Sequence, residues 1–99
     1  MNIQAMMRQA QQMQKDMLKV KEEINNTVFD GESSLVKVEA YGSKKIKSVK
    51  INIDDSFDSS DIEILEDMIV VALNDAFAKV DKVTEQKLSK FGAGISGLL

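Results

Sequence analysis

The first two dozen residues place apolar side chains at Ile3, Met6, Ala10, Met13, Met17, Val20 and Ile24, in alternating steps of three and four. That spacing is a heptad seam on an α-helix, and such a seam requires a partner. No Pro or Gly interrupts it, and the intervening Gln, Lys, Glu, Arg and Ala all favour helix. At about 1.5 Å per residue the predicted helix is roughly 35 Å long. It should end near Ile24, because Asn25, Asn26 and Thr27 are poor helix formers. The remainder of a 99-residue chain is too short to bury a stripe of that length, so the seam is expected to meet the second helix or a second copy.

The period then changes to two. Val28 and Phe29 start a short strand, and Asp30-Gly31 with Ser33 and Ser34 is expected to turn the chain. Leu35 to Tyr41 alternates with β-branched residues, Gly42-Ser43 supplies a second turn, and Ile46 to Ile53 reads as a third strand. Val49, Ile51 and Ile53 share one face of that strand, while Ile46 has the other parity, which implies a bulge or an offset start. These three segments form an antiparallel meander.

A second helix is predicted from about Asp61 to about Lys90. Ser59, Ser60 or Asp61 can cap it, and Glu63, Glu66 and Asp67 suit the positive end of its dipole. It is apolar on two adjoining stripes, one of Ile62, Leu65, Ile69, Ala72 and Ala76, the other of Val70, Leu73, Phe77 and Val80. One stripe can cover the sheet, which leaves the other for a helix or a second subunit. Leu65, Ile69, Leu73 and Phe77, with Met13 and Met17 of the first helix, are therefore the candidate dimer interface. Phe91-Gly92 stops the helix, and Gly94 and Gly97 are expected to form a loose tail over residues 92–99. The fold class is α+β in a single domain, with element order α-β-β-β-α.

Composition narrows the chemistry. Hydrophobic residues at 43% and charged residues at 29% describe an ordinary globular chain. Cys and His are both absent, which removes disulfides, thiolate sites, the usual general base and the commonest metal ligand. No enzymatic activity, cofactor or small-molecule substrate is expected. Asn52, Asp54, Ser56, Asp58 and Glu63 approach a calcium-loop spacing, but Phe57 stands where the bend glycine is needed and a strand precedes the loop, so no metal site is expected. The longest apolar run, Met68 to Leu73, is far too short for a bilayer, and the N-terminus lacks the apolar run of a signal peptide. A soluble cytoplasmic protein is the expectation.

Charge is unevenly distributed. Residues 54 to 75 carry eight acids and no base, which leaves +5 on the rest of a chain whose net charge is −3. Arg8, Gln12, Lys15 and Lys19 line the polar back of the first helix at steps of four, three and four. Lys79, Lys82, Gln86 and Lys90 repeat the device near the end of the second. Both stripes are candidate phosphate contacts, and Lys44, Lys45 and Lys47 at the second hairpin form a rival basic surface. The five aromatic residues are too scattered to make a base-stacking platform.

Three collinear segments carry a resemblance. MRQAQQMQ at Met7 to Gln14 with EEI at Glu22 to Ile24, LVKV at Leu35 to Val38 before Gly42, and EDMIVVALNDA at Glu66 to Ala76 resemble the YbaB/EbfC family of bacterial nucleoid-associated proteins. The resemblance implies a tight homodimer with long projecting helices that binds double-stranded DNA with loose sequence preference, and a place in the nucleoid. In one departure, Ile51-Asn52-Ile53-Asp54-Asp55 lacks the Pro usual after the third strand, which predicts a longer and looser connection. The expected function is DNA binding through mainly electrostatic phosphate contacts, with a part in nucleoid organisation or gene regulation. The alternative is a helical adaptor that grips a protein partner through its first helix.

Overall fold

The computed structural model describes residues 2–92. The chain forms α1 (Ile3–Asn26), β1 (Val28–Ser33), β2 (Val36–Tyr41), β3 (Ile46–Ile51) and α2 (Ile62–Leu88), with 3-10 turns Ser59–Asp61 and Ser89–Phe91 at the two ends of α2. The expected α-β-β-β-α order is thus observed. Gly92, at φ 103°, ends the second of these turns, as a residue without Cβ can. Gly94 and Gly97, read as a loose tail, lie outside the described residues.

At the start of α1 the Asn2 side-chain oxygen accepts from the Ala5 N–H at 3.2 Å. At its end Thr27 turns extended, and its hydroxyl donates to the Glu23 carbonyl at 2.7 Å. Both ends therefore satisfy backbone groups that a helix terminus leaves open.

The sheet has the order β1-β2-β3 with both pairs antiparallel. The turn expected at Asp30-Gly31 is not there: β1 continues to Ser33, and Ser34-Leu35 makes the reversal. Gly31 serves packing instead. A Cβ at this position would lie 2.0 Å from the Ala72 carbonyl oxygen and 2.6 Å from the Ala76 nitrogen, so only glycine lets α2 come this close. The bulge inferred from Ile46 is present. Glu39 pairs with Ser48 while Ala40 pairs with Ile46, which leaves Lys47 as the extra residue.

Val36, Val38 and Ala40 of β2 pack against Ala72 and Ala76 of α2, flanked by Leu65, Met68, Ile69, Leu73 and Phe77. A second cluster joins Ile24, Phe29 and Val80, with Val20 and Val83, where α1 meets the later turns of α2. The two stripes of α2 are thereby redistributed: Val80 packs against α1, and Val70 is exposed.

The entry into α2 also differs from expectation. Asp61 is the N-cap residue of α2 but makes no side-chain cap bond to it; instead Asp58 caps the preceding 3-10 turn, accepting from the Ser60 N–H at 2.8 Å, and Asp61 reciprocates by accepting from the Asp58 N–H at 3.1 Å. In the preceding connection Asp54 accepts from the Ser56 N–H at 2.9 Å. The serine hydroxyl first, and the serine backbone N–H second, hold the Asp54 and Asp58 carboxyls below the usual carboxylate range. These acids thus act in local turns. Among the described residues no three metal-ligating side chains converge.

Candidate nucleic-acid interface

Among the described residues α1 is anchored near its C-terminus. Val20 and Ile24 pack against Val80 and Val83, and a groove of about 600 Å3 separates α1 from the end of α2, where Lys90 and Phe91 face Gln9, Gln12 and Met13. The first turns, from Ile3 to Met7, are exposed throughout. Met17 of the seam is half-buried and Met13 exposed, so the described residues of a single copy leave most of the seam uncovered.

The two basic stripes have different surroundings. Arg8 and Lys15 are exposed and make no ion pair among the described residues. Lys19, Gln12 and Lys90 line the same groove, so the fold brings the two stripes together there. Asp16 and Glu23 line it too, and the Gln12 amide donates to Asp16 at 2.9 Å. The Lys90 ammonium lies 5.1 Å from the centre of the Phe91 ring, a cation–π contact. Lys82 and Gln86 are exposed.

Lys79 is tied to the sheet. Its ammonium donates to the Asp30 carbonyl at 2.8 Å and pairs with Asp75 at 3.4 Å, while the same Asp75 carboxylate accepts from the Glu32 N–H at 3.1 Å. Together they satisfy one carbonyl and one N–H on the outer edge of β1, which blocks strand addition there. The i, i+4 spacing of Asp75 and Lys79 was the signal for half of this clasp. Its other half depends on backbone more than forty residues away.

The rival surface is similarly mixed. Lys44, at φ 69°, pairs with Asp81 at 2.9 Å and sits 6.0 Å from the Phe77 ring centre. Lys45 and Lys47 are exposed. Across the outer sheet face the Ser48 hydroxyl donates to Glu39 at 2.8 Å, and this bond, aided by Lys47, Lys50 and Lys37, holds the Glu39 carboxyl below its ordinary value.

Of the proposed interface residues on α2, Leu65, Ile69, Leu73 and Phe77 are half-buried against the core. Beside them lies a feature the sequence reading missed. Val49 and Ile51 pair with Val38 and Val36 and so share their face of the sheet, yet α2 covers β1 and β2 and leaves both exposed. Their parity placed them on the apolar face; only the position of the helix shows that they are uncovered.

A helix anchored at one end, carrying cations on a face away from the core, suits contact with a polyanion. Residues 1–95 match the YbaB/EbfC DNA-binding family, and the chain belongs to it. It is 50% identical over 97 residues to a nucleoid-associated protein of Lactococcus lactis strain MG1363, covering 96% of this chain and 97% of that one. A nucleoid-associated protein of Ligilactobacillus salivarius is 38% identical over 100 residues, covering 99% and 95%. The crystal structure of the Helicobacter pylori protein HP0035 superposes with a TM-score of 0.73 at 21% identity, over 93% of this chain and 99% of that chain, and so shares the fold. Among the described residues no helix is long and apolar enough to cross a membrane.

Proposed function

We propose that this nucleoid-associated DNA-binding protein acts as a homodimer that grips double-stranded DNA through phosphate contacts from Arg8, Gln12, Lys15 and Lys19 of α1 and Lys82, Gln86 and Lys90 of α2. Lys79 takes part less, since it is already held by Asp30 and Asp75. The observation that carries this reading is the exposure of the α1 stripe on a helix that outreaches α2. The acidic first turns of α2 lie at the opposite end of α2 from Val80, Val83, Lys90 and Phe91, which α1 adjoins, and this supports an approach of the duplex from the α1 side. Phosphate neutralisation gives little sequence preference and a steep salt dependence. Such contacts fit a role in organising the nucleoid or regulating genes.

A gel-shift titration over salt, with random duplex, tests it. Replacing Arg8, Lys15 and Lys19 together by Gln is expected to lower the slope of log affinity against log salt by about 0.9 per lost contact, without changing association of the subunits. Loss of binding on replacing Lys44, Lys45 and Lys47 instead, with the α1 variant unchanged, would assign the duplex to the hairpin.

The second copy is proposed to cover the strip formed by Val49, Ile51 and the Leu73–Phe77 flank of α2. Leu73→Asp would bury an unpaired charge in that contact and is expected to disrupt association or folding. A monodisperse monomer of the unaltered chain at micromolar concentration in equilibrium sedimentation would refute the dimer.

A further inference from the structure

The outer face of the sheet has no part in the contacts proposed above. Val36 and Val38 pack against α2, so Lys37 and Glu39, which alternate with them, lie on the opposite side of β2, where their partners Lys50 and Ser48 of β3 join them. Among the described residues Lys37, Lys47 and Lys50 are all exposed. Residues 36 to 51 carry five lysines against one acid, Glu39, whereas α1 carries four bases against three acids. The β2–β3 hairpin is thus more basic than either helix of an acidic chain.

Lys37 and Lys50 are direct partners across the two strands. Like charges in opposed positions destabilise a sheet, and the relief here is partial: Lys37 reaches Asp30 at 4.0 Å, while Glu39 already accepts the Ser48 hydroxyl. The bulge adds Lys47 beside the same Glu39. Lysines on an edge strand deter strand addition, which accounts for Lys47 and Lys50. Lys37 lies on the central strand, where there is no edge to guard.

An anion that spans several lysines, as a phosphate backbone does, neutralises such a cluster. Tyr41, half-buried, is the only aromatic residue on β2 and β3, so the face suits phosphate contact with a duplex and lacks a platform for stacking single-stranded bases. We infer that the outer sheet face, through Lys37, Lys47 and Lys50, holds the phosphate backbone of a second DNA duplex, so that one assembly tethers two duplexes. This rests on the proposed grip of the first duplex by the helical stripes. The face is distinct from the contact between copies, because Val49 and Ile51 point to the α2 side of β3. Once the first duplex is held, further segments of the same DNA are present at high effective concentration, and a few phosphate contacts then suffice.

The test holds one random duplex on beads, loads the full chain, washes, and adds a second, labelled duplex. Capture of the second duplex is expected, and it should decline steeply as salt rises. Lys37→Gln combined with Lys50→Gln is expected to leave retention of the protein on the first duplex within about twofold and to lower capture of the second at least about tenfold, since each lost phosphate contact costs close to tenfold in affinity at about 0.1 M salt. Melting of this variant should be unchanged or raised, because the opposed charges are gone. No capture by retained, unaltered protein, undiminished capture by the double variant, or loss of retention itself in the double variant would each overturn the proposal. A gel shift reads the first site separately: undiminished binding by the Arg8, Lys15 and Lys19 variant would overturn the grip by the stripes, and with it the place of this face as the second site.

Discussion

The sheet-covering stretch of α2 and the distal half of α1 are both regular helix, yet they face opposite demands. Ala72 and Ala76 are fully buried, and Gly31 beneath them has no room for a methyl group. Ile3, Met6 and Met7 touch solvent on a stretch of helix that no other element covers among the described residues. In the first region side-chain size is dictated by backbone a few ångströms away; in the second, helix propensity and a cap are all that the fold requires. The arm is therefore free to carry residues chosen for contacts outside the subunit, and the stretch over the sheet is not.

The largest effect is expected at Gly31→Ala. Its Cβ would collide with backbone atoms of α2, which cannot rotate away, so urea unfolding should show a loss of about 3 kcal/mol, at the upper end for overpacking. A loss under 1 kcal/mol would show that helix and sheet can separate cheaply. Next comes the anchor of the arm. Ile24→Ala opens the cluster with Phe29 and Val80 and should cost roughly 2–4 kcal/mol, whereas Met6→Ala should change stability by no more than about 0.5 kcal/mol. Equal effects at the two sites would abolish the distinction between anchor and arm.

A smaller change follows from the clasp on β1. Lys79→Met removes its bond to the Asp30 carbonyl, about half-exposed, and should cost about 1 kcal/mol or less by thermal melting. The smallest effect concerns pH. Asp54 and Asp58 have depressed folded-state pKa values, so their contribution is complete above the ordinary carboxylate range near 4 and declines as pH falls below it. Melting temperatures measured from pH 7 down to pH 3 should fall at the acid end, and Asp58→Asn should flatten part of that fall.

Much of the fold was legible because its causes are local. The seam from Ile3 to Ile24, the parity of Ile46, the turn at Gly42-Ser43 and the stop at Phe91-Gly92 are each set by neighbours within a turn or a strand pair. The basic stripes were equally plain, since helical spacing alone puts their members in line.

Tertiary structure decided what depends on distant partners. Asp30-Gly31 has the composition of a turn, but Ala72 and Ala76, some forty residues on, require glycine inside a strand. Asp61 stands at the N-cap of α2 but makes no cap bond to it, because a 3-10 turn capped by the extended Asp58 precedes the helix and engages the Asp61 carboxylate. Lys79 belongs to a basic stripe in the sequence and to the β1 edge in the fold. The exposure of Val49 and Ile51 follows from α2 covering two strands of three. Periodicity fixes which face of an element a residue occupies; the position of the next layer alone determines whether that face is covered.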